Sequence, residues 1–342
     1  MRCAMLKGEK NIELGNIDEP KADGEKVLIA VKKTGICGSD IHYWDQGSPI
    51  GLVMGHEFCG TVIDPGSRED LSAGDRVTAL PISPCGECEA CLKGNPQFCV
   101  HTWDKAVGLS LDNPGGLTQK IKVRPDMVYK VPDELRDEEA AMVEPTAVGL
   151  HAVLLADIKV GEKVLIVGGG IIGLVSAMFA KMEGASFVAI SETNPKRGNK
   201  AIELGVADKY FNPMDEDFGQ KILENVPSGF DKVIECCGNT AAVTSALTTV
   251  KTGGKVILVG VSLKPIEIPT AVAVLHELTI QGAIAYTKEE FKACIDLMAD
   301  KKIDVLKFLD CVVPLNKTQE AFEKLTSSEN GAIKIILDPN KW

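Results

Sequence analysis

The sequence predicts an α/β protein in which a β-rich part is followed by a doubly wound parallel sheet. Short β-branched runs bounded by Gly, Pro and Asp fill the first 145 or so residues. From about residue 160 to 286, strand patterns alternate with helical patterns, as in a parallel sheet with helices on both faces. We therefore predict two domains, a discontinuous one over 1–146 and 287–342 and a second one over 147–286.

Length and composition limit the number of domains, the class of protein and the kinds of partner. The chain has 342 residues, enough for about two domains, and 45% of them are hydrophobic, as in globular proteins. The formal net charge of −11 argues against nucleic acid or an anionic membrane as a partner. The first residues lack the apolar segment of a secretory signal, so we expect a cytoplasmic protein.

The first domain is predicted from short strands and one long helix. The helix should cover 138–156, with a kink or restart at Pro145 because proline cannot donate a backbone hydrogen bond. Strands are predicted at 27–31, 60–63, 76–80 and 119–123.

The second domain and the segment that follows it are predicted from strand patterns that alternate with helical patterns. After about residue 287 we expect a helix, a strand, a second helix and a closing strand that return to the first domain. These tail elements are predicted at 289–300, 311–313, 317–325 and 332–337. The parallel strands are predicted at 163–167, 187–190, 232–235, 255–259 and 278–281, with helices at 196–204 and 240–250 among them.

A glycine-rich turn joins the first parallel strand to its helix. Gly168, Gly170 and Gly173 fill the pattern G-x-G-x-x-G. The first allows a tight turn, the second lets the backbone approach a pyrophosphate, and the third lets the helix pack against the strand. The helix start, which includes Ile171 and Ile172, would offer free N–H groups to the phosphates.

An acid follows at the expected distance from this turn. Glu192 ends the next strand about 20 residues beyond the glycines, where a carboxylate would hold the ribose hydroxyls. A buried glycine turn without a ligand is the alternative, but strand, helix and acid together favour a dinucleotide. Glu192 should repel a 2′-phosphate and select NAD, while nearby Lys196 and Arg197 could soften that choice.

Four cysteines have the spacing of a metal site. Cys85, Cys88, Cys91 and Cys99 form C-x2-C-x2-C-x7-C in a loop rich in Gly and Pro. Four thiolates suit a closed tetrahedral zinc, which is a structural site. An iron–sulfur cluster and unliganded reduced thiols are the alternatives.

A second set of metal-ligand types is dispersed along the chain. Cys37, His56, Glu57 and Glu144 could supply the sulfur, nitrogen and oxygen ligands of a zinc with an open position. A buried thiol and an ordinary loop histidine are the alternatives, because spacing alone does not show that these residues converge.

These motifs, in this order, resemble those of the zinc-dependent medium-chain dehydrogenases over essentially the whole chain. The motifs are Gly-Ile-Cys-Gly-Ser-Asp ending at Asp40, Gly-His-Glu ending at Glu57, the cysteine loop, Glu144-Pro145 and the glycine turn. The segments around Ser39 and Glu144 are most similar to the sorbitol dehydrogenase branch. Threonine 3-dehydrogenases, butanediol dehydrogenases and sugar-phosphate dehydrogenases are near neighbours.

The resemblance implies a GroES-like catalytic domain and a Rossmann domain, with NAD and two zinc ions per subunit. It implies a catalytic zinc near Cys37, His56 and Glu57, with Glu144 as an exchangeable or water-linked ligand. The reverse assignment, with Glu144 as the resting ligand and Glu57 outside it, stays open. The resemblance also implies a homodimer or homotetramer joined at the edge strand near 278–281.

The implied reaction is the reversible oxidation of a secondary alcohol. Ser39 would accept the hydroxyl proton and pass it through the cofactor ribose towards His42, which could instead be an ordinary histidine. Relatives that oxidise sorbitol carry an arginine at the position of Ala285, so sorbitol itself does not carry over. Threonine or a sugar phosphate as substrate, and a non-catalytic zinc and dinucleotide protein, are the alternatives.

Overall fold

A computed structural model describes residues 1–262 and 264–342. The chain divides into two compact units. The first unit consists of Met1–Ala147, Tyr286–Ser327 and Lys334–Trp342. The second unit consists of Val148–Ala285 and Ser328–Ile333. Across the described residues, none of the helices combines the length and apolar character that crossing a membrane requires.

The first unit is built on a mixed seven-stranded sheet and a separate two-stranded hairpin. The strands are β1 (Arg2–Gly8), β2 (Asn11–Asn16), β3 (Val27–Gly35), β4 (Glu57–Asp64), β5 (Arg76–Ala79), β6 (Lys120–Val123), β7 (Val128–Lys130), β14 (Leu309–Pro314) and β15 (Lys334–Asp338). The four strands predicted in this region are present, and β3 lies near the centre of the sheet, where it pairs with β4, β6 and β15. The hairpin strands β1 and β2, the strand β7 and the full lengths of β3 and β4 were not predicted.

The long helix predicted over 138–156 is two helices. The first ends at Ala141, and the second begins at Val143, so the break precedes Pro145. Pro145 is the third residue of the second helix, where its missing N–H removes no intrahelical bond. The helices that start in this unit are α1 (Gly38–Gln46), α2 (Glu89–Leu92), α3 (Asp137–Ala141), α4 (Val143–Ala156), α10 (Lys288–Ala299) and α11 (Thr318–Thr326).

The second unit contains a parallel sheet, as predicted, and the sheet has six strands, one more than the five predicted. Its strands are β8 (Lys163–Val167), β9 (Phe187–Ser191), β10 (Lys209–Phe211), β11 (Phe230–Glu235), β12 (Val250–Leu258) and β13 (Thr279–Gly282). Their order across the sheet is β10-β9-β8-β11-β12-β13, so the chain starts in the middle and moves first to one edge and then to the other. The helices are α5 (Ile171–Met182), α6 (Pro195–Glu203), α7 (Phe218–Asn225), α8 (Thr240–Thr249) and α9 (Thr270–Leu275).

The central strands of this sheet are buried because helices cover both faces. Leu165 and Val233 lie in one cluster with Phe230 and the apolar side chains of α8. Each such side chain contributes roughly 1.5–3 kcal/mol when it is fully buried. The carboxyl ends of β8, β9 and β11, where the chain order reverses, are thereby fixed close together at one edge.

The last part of the chain contributes residues to both units. The side-chain amide of Asn194 donates to the carbonyls of Ser328 and Asn330, which attaches the segment 328–333 to the start of α6. The chain then enters β15, which pairs with β14 and β3 of the first unit. This strand begins at Lys334, two residues later than predicted.

Candidate active site and cofactor site

The site in the first unit begins where β3 ends and α1 starts. Cys37 is the residue before the first turn of α1, and its backbone N–H donates to Asp40 Oδ2 at 3.0 Å. The sulfur of Cys37 therefore lies at the N-terminus of α1, close enough to His56 to act on its ring.

Asp40 also faces the histidine of the set. His56 is buried, with Nδ1 3.4 Å from Asp40 Oδ1 and Nε2 3.3 Å from Ser39 Oγ. Burial alone would lower the pKa of His56, but Asp40 and Cys37 together raise it above its ordinary value. A carboxylate behind Nδ1 is the usual support for a histidine that binds a metal through Nε2.

Glu57 shares a fully buried ion pair with a lysine from the end of the chain. Glu57 Oε2 accepts from Lys334 Nζ, and neither side chain is exposed (0% for both). Lys334 Nζ also donates to the carbonyl of Ile36 at 2.9 Å. A Cβ at Gly35 would overlap Glu57 Oε2, so the pair needs glycine there. Glu57 Oε1 is buried and has no hydrogen-bond partner among the described residues, which fits a cation at that atom.

Glu144 is bonded to a tyrosine, whereas Glu57 is paired with a lysine. Glu144 Oε1 accepts the hydroxyl hydrogen of Tyr286 at 2.9 Å, and both side chains are buried. Burial raises the pKa of Glu144 to about 7, an effect that nearby His56 opposes and Glu57 reinforces. The two carboxylates of this site therefore have different environments, one beside a cation and the other beside a neutral phenol.

Cys37, His56, Glu57 and Glu144 lie in one neighbourhood, although they are far apart in the sequence. The electrostatic influence of Cys37 reaches His56 and Tyr286, and that of His56 and Glu57 reaches Glu144. Ser39 and His42 lie three residues apart on α1, on one face of the helix, with His42 exposed. Sulfur, imidazole and carboxylate are the donor types that an open zinc site uses.

From the sequence, neither Asp40, Tyr286 nor Lys334 was assigned a role at the metal site. The sequence does contain a local indication for Asp40, because an acid three residues after an N-cap residue can form a capping box. Lys334 carried a weaker signal, since a lysine within an otherwise apolar closing strand needs a buried counter-charge.

The four loop cysteines are already gathered. Their sulfurs all lie within 4.8 Å of one another, and no other set of three or more such ligand types among the described residues is as tight. Backbone N–H groups of Cys85 and His101 donate to Cys99 Sγ and lower the pKa of that thiol to about 6. Burial raises the pKa of Cys91 to about 12. A zinc ion bound among these four sulfurs would hold them as thiolates, so the cluster could bind a structural zinc.

The glycine turn of the second unit has the geometry expected of it. Gly168 has a φ of 108°, which favours glycine. A Cβ at Gly173 would overlap the Gly168 carbonyl oxygen, whereas a Cβ at Gly170 would meet no atom within 4 Å. The helix α5 starts at Ile171 without a side-chain cap, so Ile171, Ile172 and Gly173 keep N–H groups without intrahelical acceptors.

A cavity of about 650 Å³ opens beside this turn. Glu192 lies in its wall, and its two oxygens accept from the backbone N–H groups of Gly169 at 2.6 Å and Asn194 at 2.7 Å. Arg197 lines the same cavity while its Nε donates to the Ala332 carbonyl at 3.0 Å. Cys237, which the sequence did not single out as a site residue, is exposed in this wall.

Comparison with known proteins identifies the family. Residues 23–133 match the family model described as alcohol dehydrogenase GroES-like domain, and residues 172–300 match that of the zinc-binding dehydrogenases. The chain is 34% identical to sorbitol dehydrogenase of Bombyx mori, over 98% of this chain and 97% of that protein. It is 32% identical to L-threonine 3-dehydrogenase of Vibrio parahaemolyticus, over 97% of each chain.

Solved structures agree with this result. The 2R,3R-butanediol dehydrogenase of Bacillus subtilis superimposes with a TM-score of 0.87 at 31% identity and covers 99% of each chain. A Sinorhizobium meliloti protein solved with NADP bound has a TM-score of 0.87 at 29% identity, again over 99% of each chain. The predicted GroES-like and Rossmann folds are thereby confirmed. The chain belongs to the zinc-dependent medium-chain dehydrogenases of the sorbitol dehydrogenase-like type, oxidoreductases that use zinc and a nicotinamide dinucleotide.

Proposed function

We propose that this protein oxidises a secondary alcohol of a diol or polyol to a ketone, reversibly and with NAD as the hydride acceptor. The observation that carries the proposal is that the half-buried Cys37 lies close to the buried His56, Glu57 and Glu144, beside Ser39. The carboxylates at 57 and 144 make the site more polar than one lined by thiols, which suits a substrate with several hydroxyls.

Each residue has a proposed role. Cys37, His56 and Glu57 would hold the zinc, with Glu57 using its partnerless Oε1, and Asp40 would orient His56. When bound, zinc acts as a Lewis acid that makes a coordinated hydroxyl easier to deprotonate. Ser39 would take up the hydroxyl proton, and His42, on the same face of α1, would release it to solvent. Glu144 faces the reactant through the oxygen that Tyr286 does not engage.

The cofactor would bind in the second unit at the carboxyl ends of its parallel strands. Gly168, Gly170 and Gly173 allow close approach of the pyrophosphate, and the free N–H groups of Ile171 and Ile172 would contact it. Glu192 would bind the ribose diol of NAD, with Arg197 alongside. Two backbone donors hold Glu192 in place, which supports a preference for NAD over NADP.

The cysteine loop would bind a second, structural zinc through Cys85, Cys88, Cys91 and Cys99. Four sulfur ligands would complete a tetrahedral zinc, so this site would leave no position for a reactant. We propose the cytoplasm as the working compartment, because all the cysteines are free thiols and reduced thiols persist there. The assignment of the catalytic role to 1–146 with 287–342, and of cofactor binding to 147–286, remains a prediction.

We also propose a homo-oligomer, either a dimer or a tetramer. The strand β13 is the edge of the parallel sheet, and Ile280 within it is exposed. Val274 and Leu275 of α9, just before this strand, are also strongly exposed. A second copy that pairs with this edge would cover the open backbone groups and the apolar side chains.

The test is NADH formation on a panel of diols, polyols, sugar alcohol phosphates and L-threonine, with NAD and NADP, before and after a chelator. We expect turnover with diols or polyols and NAD that is lost when the metal is removed. The best rate on threonine would replace the proposal with threonine 3-dehydrogenase activity, for which the similarity to the Vibrio enzyme is the argument. No turnover on any member would favour a non-catalytic zinc and dinucleotide protein.

A further inference from the structure

The hydroxyl of Tyr286 is bonded to Glu144, one of the residues of the proposed active site. Tyr286 is only 2% exposed, and its hydroxyl donates to Glu144 Oε1 at 2.9 Å. Glu144 is 8% exposed. A buried carboxylate oxygen needs a donor, and a phenol bonded to an anion makes a stronger hydrogen bond than one between neutral groups. Tyr286 therefore satisfies one of the two oxygens of Glu144.

The direction of the Tyr286 ring is fixed by the helix that follows it. Thr287 is the N-cap of α10, and its hydroxyl accepts from the N–H of Glu290 while the Glu290 carboxylate accepts from the N–H of Thr287. Tyr286 precedes this capping box and stacks on Phe291, with ring centroids 5.6 Å apart. A capping box with such an apolar pair across it sets the angle at which a chain enters a helix. The ring of Tyr286 thus has little freedom to move its hydroxyl away from Glu144.

We infer that Tyr286 is a positioning residue that holds Oε1 of Glu144 and leaves Oε2 as the oxygen that serves the reactant. This inference rests on the proposed alcohol oxidation. Without the hydroxyl, Glu144 keeps a buried oxygen with no donor, and its carboxylate turns to whatever positive or donor group is nearest. The carboxylate then competes with the substrate instead of assisting it.

The test is a double-mutant cycle with Tyr286→Phe and Glu144→Gln, because Phe keeps the ring and removes only the hydroxyl. The matched control is Tyr129→Phe. Tyr129 stacks on the same Phe291 at 5.5 Å, but its hydroxyl lies 3.5 Å from the carbonyl of Lys288 and not at Glu144. We expect Tyr286→Phe to lower kcat/KM roughly 10- to 100-fold and Tyr129→Phe to change it less than about 2-fold.

In the Glu144→Gln background, we expect Tyr286→Phe to have less than about a 3-fold further effect, because the hydroxyl acts through the carboxylate. Equal losses in both backgrounds would overturn the inference and leave Tyr286 as a packing residue. A loss with Tyr129→Phe as large as that with Tyr286→Phe would overturn it as well.

A second readout does not need turnover. With cobalt(II) in place of zinc, the visible absorption reports the ligand geometry, and the difference between variant and wild type cancels the contribution of the cysteine loop. We expect a changed spectrum for Tyr286→Phe and an unchanged one for Tyr129→Phe. If the wild type oxidises no alcohol, the proposed function fails, while the spectra still decide the role of Tyr286. Identical spectra for all three proteins would contradict it.

Discussion

At the scale of single residues, the two carboxylates of the site differ in what their oxygens contact. Glu57 Oε1 has no partner among the described residues and Oε2 is beside Lys334, whereas Glu144 Oε1 is engaged by Tyr286. We expect Glu57→Gln to weaken zinc retention roughly 10- to 100-fold, because an amide oxygen is a poorer metal donor than a carboxylate. Glu144→Gln should keep its zinc and lose kcat.

Metal analysis after mild chelation, paired with kcat, checks both substitutions. Zinc loss confined to Glu144→Gln would reverse the two roles and make Glu144 the resting ligand. Zinc loss in neither variant would mean that Cys37 and His56 with solvent suffice to hold the ion.

Lys334 gives a prediction about stability. Removing one partner of a buried ion pair leaves an uncompensated charge, so Lys334→Met should lower the free energy of unfolding by about 3–5 kcal/mol. Lys317→Met is the control, because Lys317 pairs with Glu320 at the surface, where an ion pair contributes about 0–1 kcal/mol. Urea unfolding of metal-depleted protein measures both. Equal effects would show that the Glu57–Lys334 pair is no more important than a surface pair.

Residue types could be predicted from the sequence, but their partners could not. Cys37, His56 and Glu144 were found because sulfur, imidazole and carboxylate are zinc ligand types within recognisable motifs. Lys334 is 277 residues from Glu57 in the chain, and only the fold shows that they meet. The same holds for Tyr286 and Glu144, 142 residues apart.

At the scale of elements, strands with a strong apolar pattern were predicted within a few residues. The strand β8 was predicted with both ends correct, whereas β10 was missed because it is three residues long and contains Lys209 and Tyr210. The sequence predicts a kink or restart at Pro145, whereas α3 ends at Ala141 and α4 begins at Val143. The break precedes the proline because a first-turn proline is compatible with a helix start.

The βαβ segment formed by β8, α5 and β9 leads to a prediction about the choice between NAD and NADP. Glu192 follows β9 and accepts the Gly169 N–H, so it links the ribose site to the glycine turn. We expect Glu192→Ala to lower the ratio of kcat/KM with NAD to that with NADP by roughly 10-fold or more, because it removes both a ribose acceptor and a charge that repels phosphate. Glu203→Ala, at the exposed end of α6, should leave the ratio unchanged. Comparable efficiency of the wild type with both cofactors would contradict the assignment.

At the scale of the whole molecule, the exposed edge of the parallel sheet bears on assembly. Ile280 is 37% exposed on β13, and we expect Ile280→Lys to shift the protein towards monomers by placing a charge in the interface. Val160→Lys is the control, since Val160 is 88% exposed outside the edge strand. Light scattering after size exclusion measures the mass of each. An unchanged oligomer with Ile280→Lys would place the interface elsewhere.

The cysteine loop affects the whole molecule through stability. Its short helix α2 contains no buried residue, so the loop has little apolar core and the metal has to hold it. We expect Cys91→Ser to lower the thermal midpoint and the zinc content by one equivalent, with kcat nearly unchanged. A variant that lacks one zinc and melts like the wild type would show that the loop needs no metal.

The short distances between the loop sulfurs also make the metal-free loop sensitive to oxidation by air. Cys85 and Cys99 have sulfurs 3.6 Å apart, and so do Cys88 and Cys91. Once zinc leaves in air, dioxygen can take two electrons and two protons from each pair, and a small movement brings each pair to bonding distance. Two such disulfide bonds would leave none of the four cysteines free to bind a metal, so added zinc would no longer restore the loop. Chelation should therefore be reversible under a thiol reductant and become permanent in aerated buffer, and a thiol titration before and after zinc is returned will separate the two outcomes.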